Sequence, residues 1–265
     1  MQDATKSITL VKVGGARLQT TQDLVSLANY IAGLRRAGQS VLVVHGGGPE
    51  ISELHDQLNV PFQKKNGLRV TTPRGMTLTT MVLCGLVNKR VVAALLANRL
   101  PAFGLSGVDG GILRSNFLNQ TLYGHVGTPP EVNAGLLHLL ISAGQVPVIA
   151  PVSLGPDGTP INVNADDAAH AIARAMHVDS LEFISDIPGV QGHDSTVIPT
   201  VRSDELEPLI ANAVVTGGMI PKLRGAAQAV NSGIGRVRIG DLTGMLHDTA
   251  TVVCSATQRA GRQSR

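Results

Sequence analysis

The residues best suited to chemistry in this chain are two glycine turns, two lysines, an arginine and an aspartate. The first turn is Val43-Val44-His45-Gly46-Gly47-Gly48-Pro49-Glu50, where an apolar run from Ser40 stops at three glycines and a helix-compatible segment, Pro49 to Leu58, follows. A strand that ends in such a turn lets the backbone come close to a ligand, and the free N–H groups of a helix start point at an anion. An ordinary tight connection is the plainer reading of one glycine; three in a row favour an anion cradle. Thr9-Leu10-Val11-Lys12-Val13 repeats the pattern more briefly and closes on Gly14-Gly15. Lys12 interrupts a buried-looking strand, where an ammonium group without a partner is costly. It reads either as an edge lysine reaching solvent or as a cation aimed at phosphate beside the glycines.

Further along, Asn66-Gly67-Leu68-Arg69-Val70-Thr71 sets an arginine in a turn-flanked segment, suited to holding a carboxylate with two parallel hydrogen bonds unless it is simply solvated. Asp166, in Asn162-Val163-Asn164-Ala165-Asp166, is either a helix cap or an acid that orients nearby cations. Thr216-Gly217-Gly218-Met219-Ile220-Pro221-Lys222 places a lysine at a helix start, against the helix dipole, which marks it as a candidate ligand contact. Gly104 to Gly111 is too glycine-rich for a plain connection. His45 is either a site residue or a hydrogen-bonded structural histidine. The chain has no G-x-x-x-x-G-K-[ST], no complete G-x-G-x-x-G, no H-E-x-x-H and no G-x-S-x-G. P-loop, dinucleotide, zinc-protease and serine-hydrolase chemistry therefore receive no support.

These residues sit on alternating elements. Apolar strand-like runs cover Ile8–Val13, Ser40–His45, Ala102–Leu105, Val146–Ala150, Leu181–Ser185, Arg236–Ile239 and Thr251–Cys254. Helical spacing covers Asp23–Ala37, Leu78–Asn98, Glu131–Ala143, Ala165–Met176 and Lys222–Ser232. That order predicts an α/β fold with a mainly parallel sheet covered on both faces. Ile112 to Val126 reads as hairpins over a site, and Gly240 to Met245 as an ordinary loop. The chain is 265 residues long with 43% hydrophobic and 15% charged residues, enough for a full core in one large domain or two lobes. A net charge of +3 and 2% aromatics give no basic face or stacking platform for nucleic acid. Arg259, Arg262 and Arg265 read as a solvated tail. Cys84 and Cys254 lack metal spacing and suggest reduced thiols in a cytoplasmic protein. No signal peptide and no run of about 18 uninterrupted apolar residues is apparent, so no membrane association is expected.

Taken together and in order, Lys12 with Gly14-Gly15, His45 to Glu50, Asn66 to Thr71, Asn162 to Asp166 and Gly218 to Lys222 resemble the amino-acid kinase family. The resemblance runs from about Ile8 to Cys254. It implies an αβα sandwich around a central, mainly parallel sheet, with residues 1–172 binding an acyl amino acid and forming a dimer interface, and residues 173–265 binding ATP. The activity it implies is transfer of phosphate from ATP to the γ-carboxylate of N-acetyl-L-glutamate, as in arginine biosynthesis. Lys12 and Lys222 would flank the transferring group as catalytic residues, with Asp166 between them keeping both in place. Amides of Gly14, Gly15, Gly46 and Gly47 would hold phosphoryl oxygens and substrate. Arg69 would pair with the substrate α-carboxylate, and Asn162 would add a hydrogen bond. Asp186, Gly189, Val190, Val214, Val215 and Thr216 would line the nucleotide pocket. Mg²⁺ would ride mainly on the nucleotide phosphates, with no protein metal site. A homodimer is the implied assembly.

Cys84 to Arg90 and Ser106 to Asp109 also resemble a related kinase of lysine biosynthesis that phosphorylates aminoadipate on a small carrier protein; Gly67 to Thr71 and Asn164-Ala165-Asp166 favour acetylglutamate. A catalytically silent nucleotide-binding regulator on the same fold would be expected to lack a lysine or the aspartate.

Overall fold

The computed structural model describes residues 7–217 and 219–256; Gly218 and the tail arginines 259, 262 and 265 lie outside them. The strands in chain order are β1 (Ile8–Val13), β2 (Ser40–His45), β3 (Lys64–Lys65), β4 (Leu68–Arg69), β5 (Ala102–Ser106), β6 (Leu113–Arg114), β7 (Glu131–Val132), β8 (Val146–Ala150), β9 (Val152–Leu154), β10 (Pro160–Asn162), β11 (Ser180–Ile184), β12 (Thr200–Arg202), β13 (Arg236–Gly240) and β14 (Thr251–Cys254). The helices are α1 (Thr21–Arg36), α2 (Gly48–Gln57), α3 (Pro73–Thr80), α4 (Asn88–Ala97), α5 (Gln120–Tyr123), α6 (Gly135–Ser142), α7 (Ala165–Ala175), α8 (Leu206–Ala211), α9 (Met219–Asn231) and α10 (Leu242–Leu246). An eight-stranded sheet runs β12-β14-β13-β11-β1-β2-β8-β5, parallel from β13 to β5, with β14 antiparallel to β13.

β1 lies in the middle of this sheet, covered on both faces, which is why its sequence reads as a nearly unbroken apolar run. Alternation along the strands then sorts the side chains. Leu10, Leu42, Val44, Leu181 and Phe183 belong to the core cluster that also contains residues of α7 and α9. Val11, Val13, Val41, Val43 and Ile184 belong to the cluster shared with α1 and α4. By the same alternation Lys12 faces α7, and His45 faces α4.

Each of five helices returns to the sheet through a turn with one left-handed residue, at Gly38 (φ 83°), Arg99 (60°), Gly144 (77°), His177 (49°) and Gly233 (101°). These turns feed the amino ends of β2, β5, β8, β11 and β13. The glycine turns and their side chains leave from the opposite, carboxyl edge, the usual ligand edge of such sheets.

The structure departs from the sequence reading in several places. The helix expected over Glu131–Ala143 starts only at Gly135, because Glu131 and Val132 pair antiparallel with β6 as β7. Ile112 and Leu113 are fully buried core residues rather than part of a covering hairpin. Gly240 to Met245 is not an ordinary loop: Asp241 caps α10, its carboxylate accepting from the Gly244 amide at 2.6 Å. The expected lobe boundary at 172/173 falls inside α7, a continuous helix.

The stretch Pro73–Ala97 is long and apolar enough to cross a membrane by length and composition alone. It is instead one continuous covering element, with Val82, Leu83, Val87, Val91 and Leu95 in the core beneath it. Its middle, Met81–Val87, is π-helical, a rare conformation that often marks functional positions.

The two glycine turns touch backbone to backbone. A Cβ at residue 15 would stand 2.8 Å from both the Cα and the amide nitrogen of Gly47. Gly15→Ala is therefore expected to force the turns apart and lower stability by about 1–3 kcal/mol, the usual cost of overpacking. Thermal unfolding of Gly15→Ala beside wild type measures this, and an unchanged Tm contradicts the contact.

Candidate active site

At the carboxyl edge, the amides of Gly14 and Gly46 are already used. Gly14 donates to the Ile184 carbonyl at 3.3 Å and Gly46 to that of Val13 at 2.9 Å. Gly14 was expected to bind phosphate and Gly46 substrate through these amides, which here serve the fold. The amides of Gly15, Gly47 and Gly48 donate to no acceptor among the described residues. Two of these open α2, where the helix dipole adds positive potential. Gly15, Gly47 and Gly48 are thus the glycines whose amides are unspent at this edge. Arg90 fastens both turns: its Nη1 donates to Glu50 Oε1 at 2.9 Å and to the Leu18 carbonyl at 3.1 Å.

Lys12 is buried, and its Nζ lies 2.5 Å from Asp166 Oδ1 at the start of α7. The partner that a buried ammonium requires is therefore this carboxylate. Lys222 is placed differently. Its Nζ donates to Ser185 Oγ at 3.1 Å, and Ser185 donates to Asp186 Oδ1 at 3.0 Å. Asp166, expected to keep both lysines in place, pairs with Lys12, and no ion pair joins it to Lys222 among the described residues. Asp166 and Lys222 nevertheless line one cavity of about 660 Å³ between α7 and α9, a size that accepts a small ligand. His170, one turn along α7 from Asp166, lines it too, its imidazole held below its usual pKa by burial. Burial and then Asp166 push the Asp167 carboxyl up.

Arg69 sits on the β3–β4 hairpin, whose Asn66-Gly67 corner has φ of 52° and 79°, both in the left-handed region as a tight two-residue turn requires. It is not a surface arginine. The guanidinium lies 4.0 Å over the Phe62 ring, and Nη2 donates to Ser52 Oγ at 2.6 Å and to the Gly48 carbonyl at 3.2 Å. Nη1 is buried without a hydrogen-bond partner. Burial lowers its pKa and Asp56 raises it. Asn162, on β10, donates to Thr71 Oγ1 at 3.2 Å, and Thr71 donates to the Arg69 carbonyl at 2.8 Å. Thr71 thus joins Asn162 to the arginine strand. Ser52 and Phe62 carry no signal in a single sequence, since each acts only through Arg69.

The segments expected to hold the nucleotide divide in two. Asp186 and Thr216 are exposed, and the Asp186 carboxyl is held below the usual range by its own backbone amide and the Ser185 hydroxyl. Val190 and Val215 are core residues, and Gly189 packs so closely that a Cβ would stand 2.8 Å from Thr251 Oγ1. Val214 is half-buried. Any nucleotide contact from Gly189, Val190 or Val215 is left to the backbone. The Lys222–Ser185 bond ties the start of α9 to the end of β11, so segments 186–190 and 214–216 leave from one corner.

Two glycine turns, Lys12, Lys222 and the Arg69 hairpin thus stand at the carboxyl edge of the sheet. Residues 7–241 match the pattern of the amino acid kinase family, and the chain belongs to that family. Among its relatives are acetylglutamate kinases. That of Methanopyrus kandleri is 41% identical over 253 residues, covering 92% of this chain and 99% of its own. That of Chloroflexus aurantiacus is 44% identical over 249 residues, covering 92% and 96%. Of solved structures, smu.665 from Streptococcus mutans superposes with a TM-score of 0.82 at 31% identity, covering 93% of this chain and 98% of that one. Carbamate kinase from Giardia lamblia, bound to AMP-PNP, shares the fold with a TM-score of 0.71 at 15% identity, covering 95% and 99%.

His45 is fully buried, and burial pulls its pKa from 6.5 to about 4. The unfolded chain therefore binds a proton between these values that the folded chain refuses. The associated stability is complete above pH 6.5 and falls as the pH drops toward 4, by on the order of 3 kcal/mol. His170 adds to the loss in the same direction. Replacing His45 with asparagine, which does not titrate, is expected to make the acid limb of denaturant-unfolding stability shallower. An unchanged slope between pH 6.5 and 4 contradicts the buried neutral imidazole.

Proposed function

We propose that this protein transfers the γ-phosphoryl group of ATP to the γ-carboxylate of N-acetyl-L-glutamate, forming N-acetylglutamyl 5-phosphate for arginine biosynthesis. The observation that carries the reading is one sheet edge with Lys12, Lys222, three unspent glycine amides and the unpartnered Nη1 of Arg69. The full-length likeness to acetylglutamate kinases supports it.

The chemistry follows from charge. The attacking γ-carboxylate is already ionised at neutral pH, so no general base is needed. The obstacle is repulsion between that carboxylate and the polyphosphate. Catalysis then consists of alignment and stabilisation of the charge spread over the phosphoryl oxygens in transit. Lys12 on β1, fixed by Asp166, and Lys222 at the start of α9, held by Ser185, supply positive charge from two elements. The amides of Gly15, Gly47 and Gly48 offer donors that need no reorganisation. Arg69, anchored through Nη2 by Ser52 and the Gly48 carbonyl, offers Nη1 to the α-carboxylate, and Asn162 with Thr71 shapes the same pocket.

Residues 1–172 would serve the acyl amino acid and residues 173–265 the nucleotide, with α7 spanning the join. Mg²⁺ would offset phosphate charge while bound to ATP. A cytoplasmic homodimer is the assembly this reading favours. Met81, Leu86, Leu96 and Phe103 are exposed, and β5 is an open sheet edge beside them.

An assay that traps the acyl phosphate with hydroxylamine, run with ATP and N-acetylglutamate, tests the proposal. Acetylaminoadipate and free glutamate are the comparison substrates. Activity only with an aminoadipate derivative moves the assignment to the lysine branch, and none with any acyl amino acid sinks it. Within that assay, Lys222→Ala is expected to lower kcat by roughly 10²-fold or more while KM for ATP changes little. A variant that keeps kcat and raises only KM shows Lys222 to be a nucleotide-binding residue alone.

Arg69→Lys is expected to behave as a severe change. It keeps the charge but loses the planar fork, so KM for the acyl amino acid should rise by roughly tenfold or more. KM for ATP should stay near wild type. Steady-state kinetics with each substrate varied in turn decide it, and an unchanged KM for the acyl amino acid removes Arg69 from the substrate site.

A further inference from the structure

One part of the molecule is built with more polar care than packing needs and touches no expected substrate. Asn88, where the π-helical stretch passes into α4, is fully buried. Its Nδ2 donates to the Val148 carbonyl at 2.9 Å and the Leu105 carbonyl at 3.3 Å, and lies 3.2 Å from His45 Nε2. Its Oδ1 accepts from Lys89 Nζ at 3.1 Å. The ammonium can only donate, so it fixes which end of the Asn88 amide is oxygen. The Gly46 carbonyl beside His45 Nδ1 can only accept, so Nδ1 carries the proton and Nε2 of the neutral ring, facing the Asn88 nitrogen, is unprotonated. The proton is on Nδ1, which donates to the Gly46 carbonyl at 2.9 Å. The tautomer follows from the network rather than from an assumption about the ring.

The Gly46 carbonyl belongs to the peptide whose N–H is that of Gly47. In a trans peptide the two point in opposite directions. Holding the carbonyl on His45 turns the Gly47 N–H away from the α4 side of the sheet. The ends of this peptide are held as well, by Gly46 N donating to Val13 O and Ile51 N donating to Gly47 O. The neighbouring positions are cleared to admit the arrangement. A Cβ at Gly104 would lie 2.3 Å from Asn88 Oδ1, and one at Gly47 would lie 2.7 Å from Leu83 Cδ2 in the π-helical stretch.

We infer that His45 and Asn88 are positioning residues: through the Gly46 carbonyl they aim the Gly47 amide at the transferring phosphoryl group. Neither touches substrate. An amide that stabilises a transition state must be oriented before the charge develops, and a buried relay from three strands, β2, β5 and β8, does that orienting. The inference rests on the phosphoryl-transfer reading of the glycine cradle and adds the residues that aim it.

The test has two parts. In wild-type protein labelled with ¹⁵N-histidine, NMR is expected to show His45 as the neutral Nδ1–H tautomer across neutral pH. An Nε2–H tautomer or an imidazolium there overturns the relay whatever the variants do. In kinetics, His45→Leu removes the donor while keeping an apolar fill. It should lower kcat by about tenfold or more with both KM values within about threefold of wild type. His45→Asn keeps a δ-nitrogen donor for the Gly46 carbonyl and should recover most of that loss. Recovery by asparagine separates positioning from packing, which asparagine would serve worse than leucine. Full kcat in His45→Leu, or equal impairment of both variants, overturns the proposal. A wild-type protein with the expected tautomer but no acyl-phosphate product counts against the substrate reading instead.

Discussion

The contact on which the rest depends is between two stretches of bare backbone. Gly15 lies against Gly47 and Gly48 at distances that no side chain permits. The approach exists because β1 and β2 pair directly, residue for residue from Ile8–Ser40 to Val13–His45, and end at the same level. Both strands then turn out of the sheet at once, and only glycine lets them do so without pushing each other aside. The result is a patch of amide nitrogens with no side chains over it, flanked by a lysine on the strand just before. Every other element is arranged to keep that patch still. α2 starts there and brings Glu50 to Arg90, and α4 reaches down with Asn88 and Arg90.

The two faces of the sheet divide the work. On the α7 face Lys12 meets Asp166 and Lys222 meets Ser185, so that face supplies charge. On the α4 face a neutral imidazole and an amide supply direction, in a site too buried to hold an uncompensated ion. Another buried network continues that face. Arg238 lies 3.4 Å from Glu182, and Tyr30 donates to the same carboxylate, locking α1 to β11 and β13 behind the expected nucleotide corner. A low-dielectric wall behind the glycine patch strengthens whatever electrostatics act in front of it.

The fold was legible where side-chain periodicity was long. β1, β2, β8 and β14 came out at their observed limits because their runs are apolar and bounded by turns. The strands Thr200–Arg202, Val152–Leu154 and Pro160–Asn162 were not visible, since three residues are too few for alternation to register. α10 was hidden by its glycine, though Asp241 three residues before Gly244 is a capping signal. In the site, Lys12, Lys222 and Arg69 drew notice because each breaks a local rule: a cation in a buried strand, a lysine against a dipole, an arginine in a tight hairpin; Asp166, at a favoured helix start, did so only through its motif. What remained invisible was pairing. Nothing in sequence says that Asp166 belongs to Lys12 and Ser185 to Lys222, or that the Gly14 and Gly46 amides are consumed by Ile184 and Val13. Those facts are set by strand register, which only the assembled sheet provides.

The turns at the amino edge have a consequence of their own. Gly38, Arg99, Gly144, His177 and Gly233 sit at that edge, a full strand length away from the lysines and the glycine cradle. Their work is to reverse direction. Breaking the chain at one of them removes no side chain from the site and leaves each parallel strand attached to the segment it presents. The molecule is in that sense a good subject for circular permutation, with new ends placed at the Gly144 turn rather than at the chain's own termini. The order in which the strands are synthesised could be rearranged while the chemistry stayed in place.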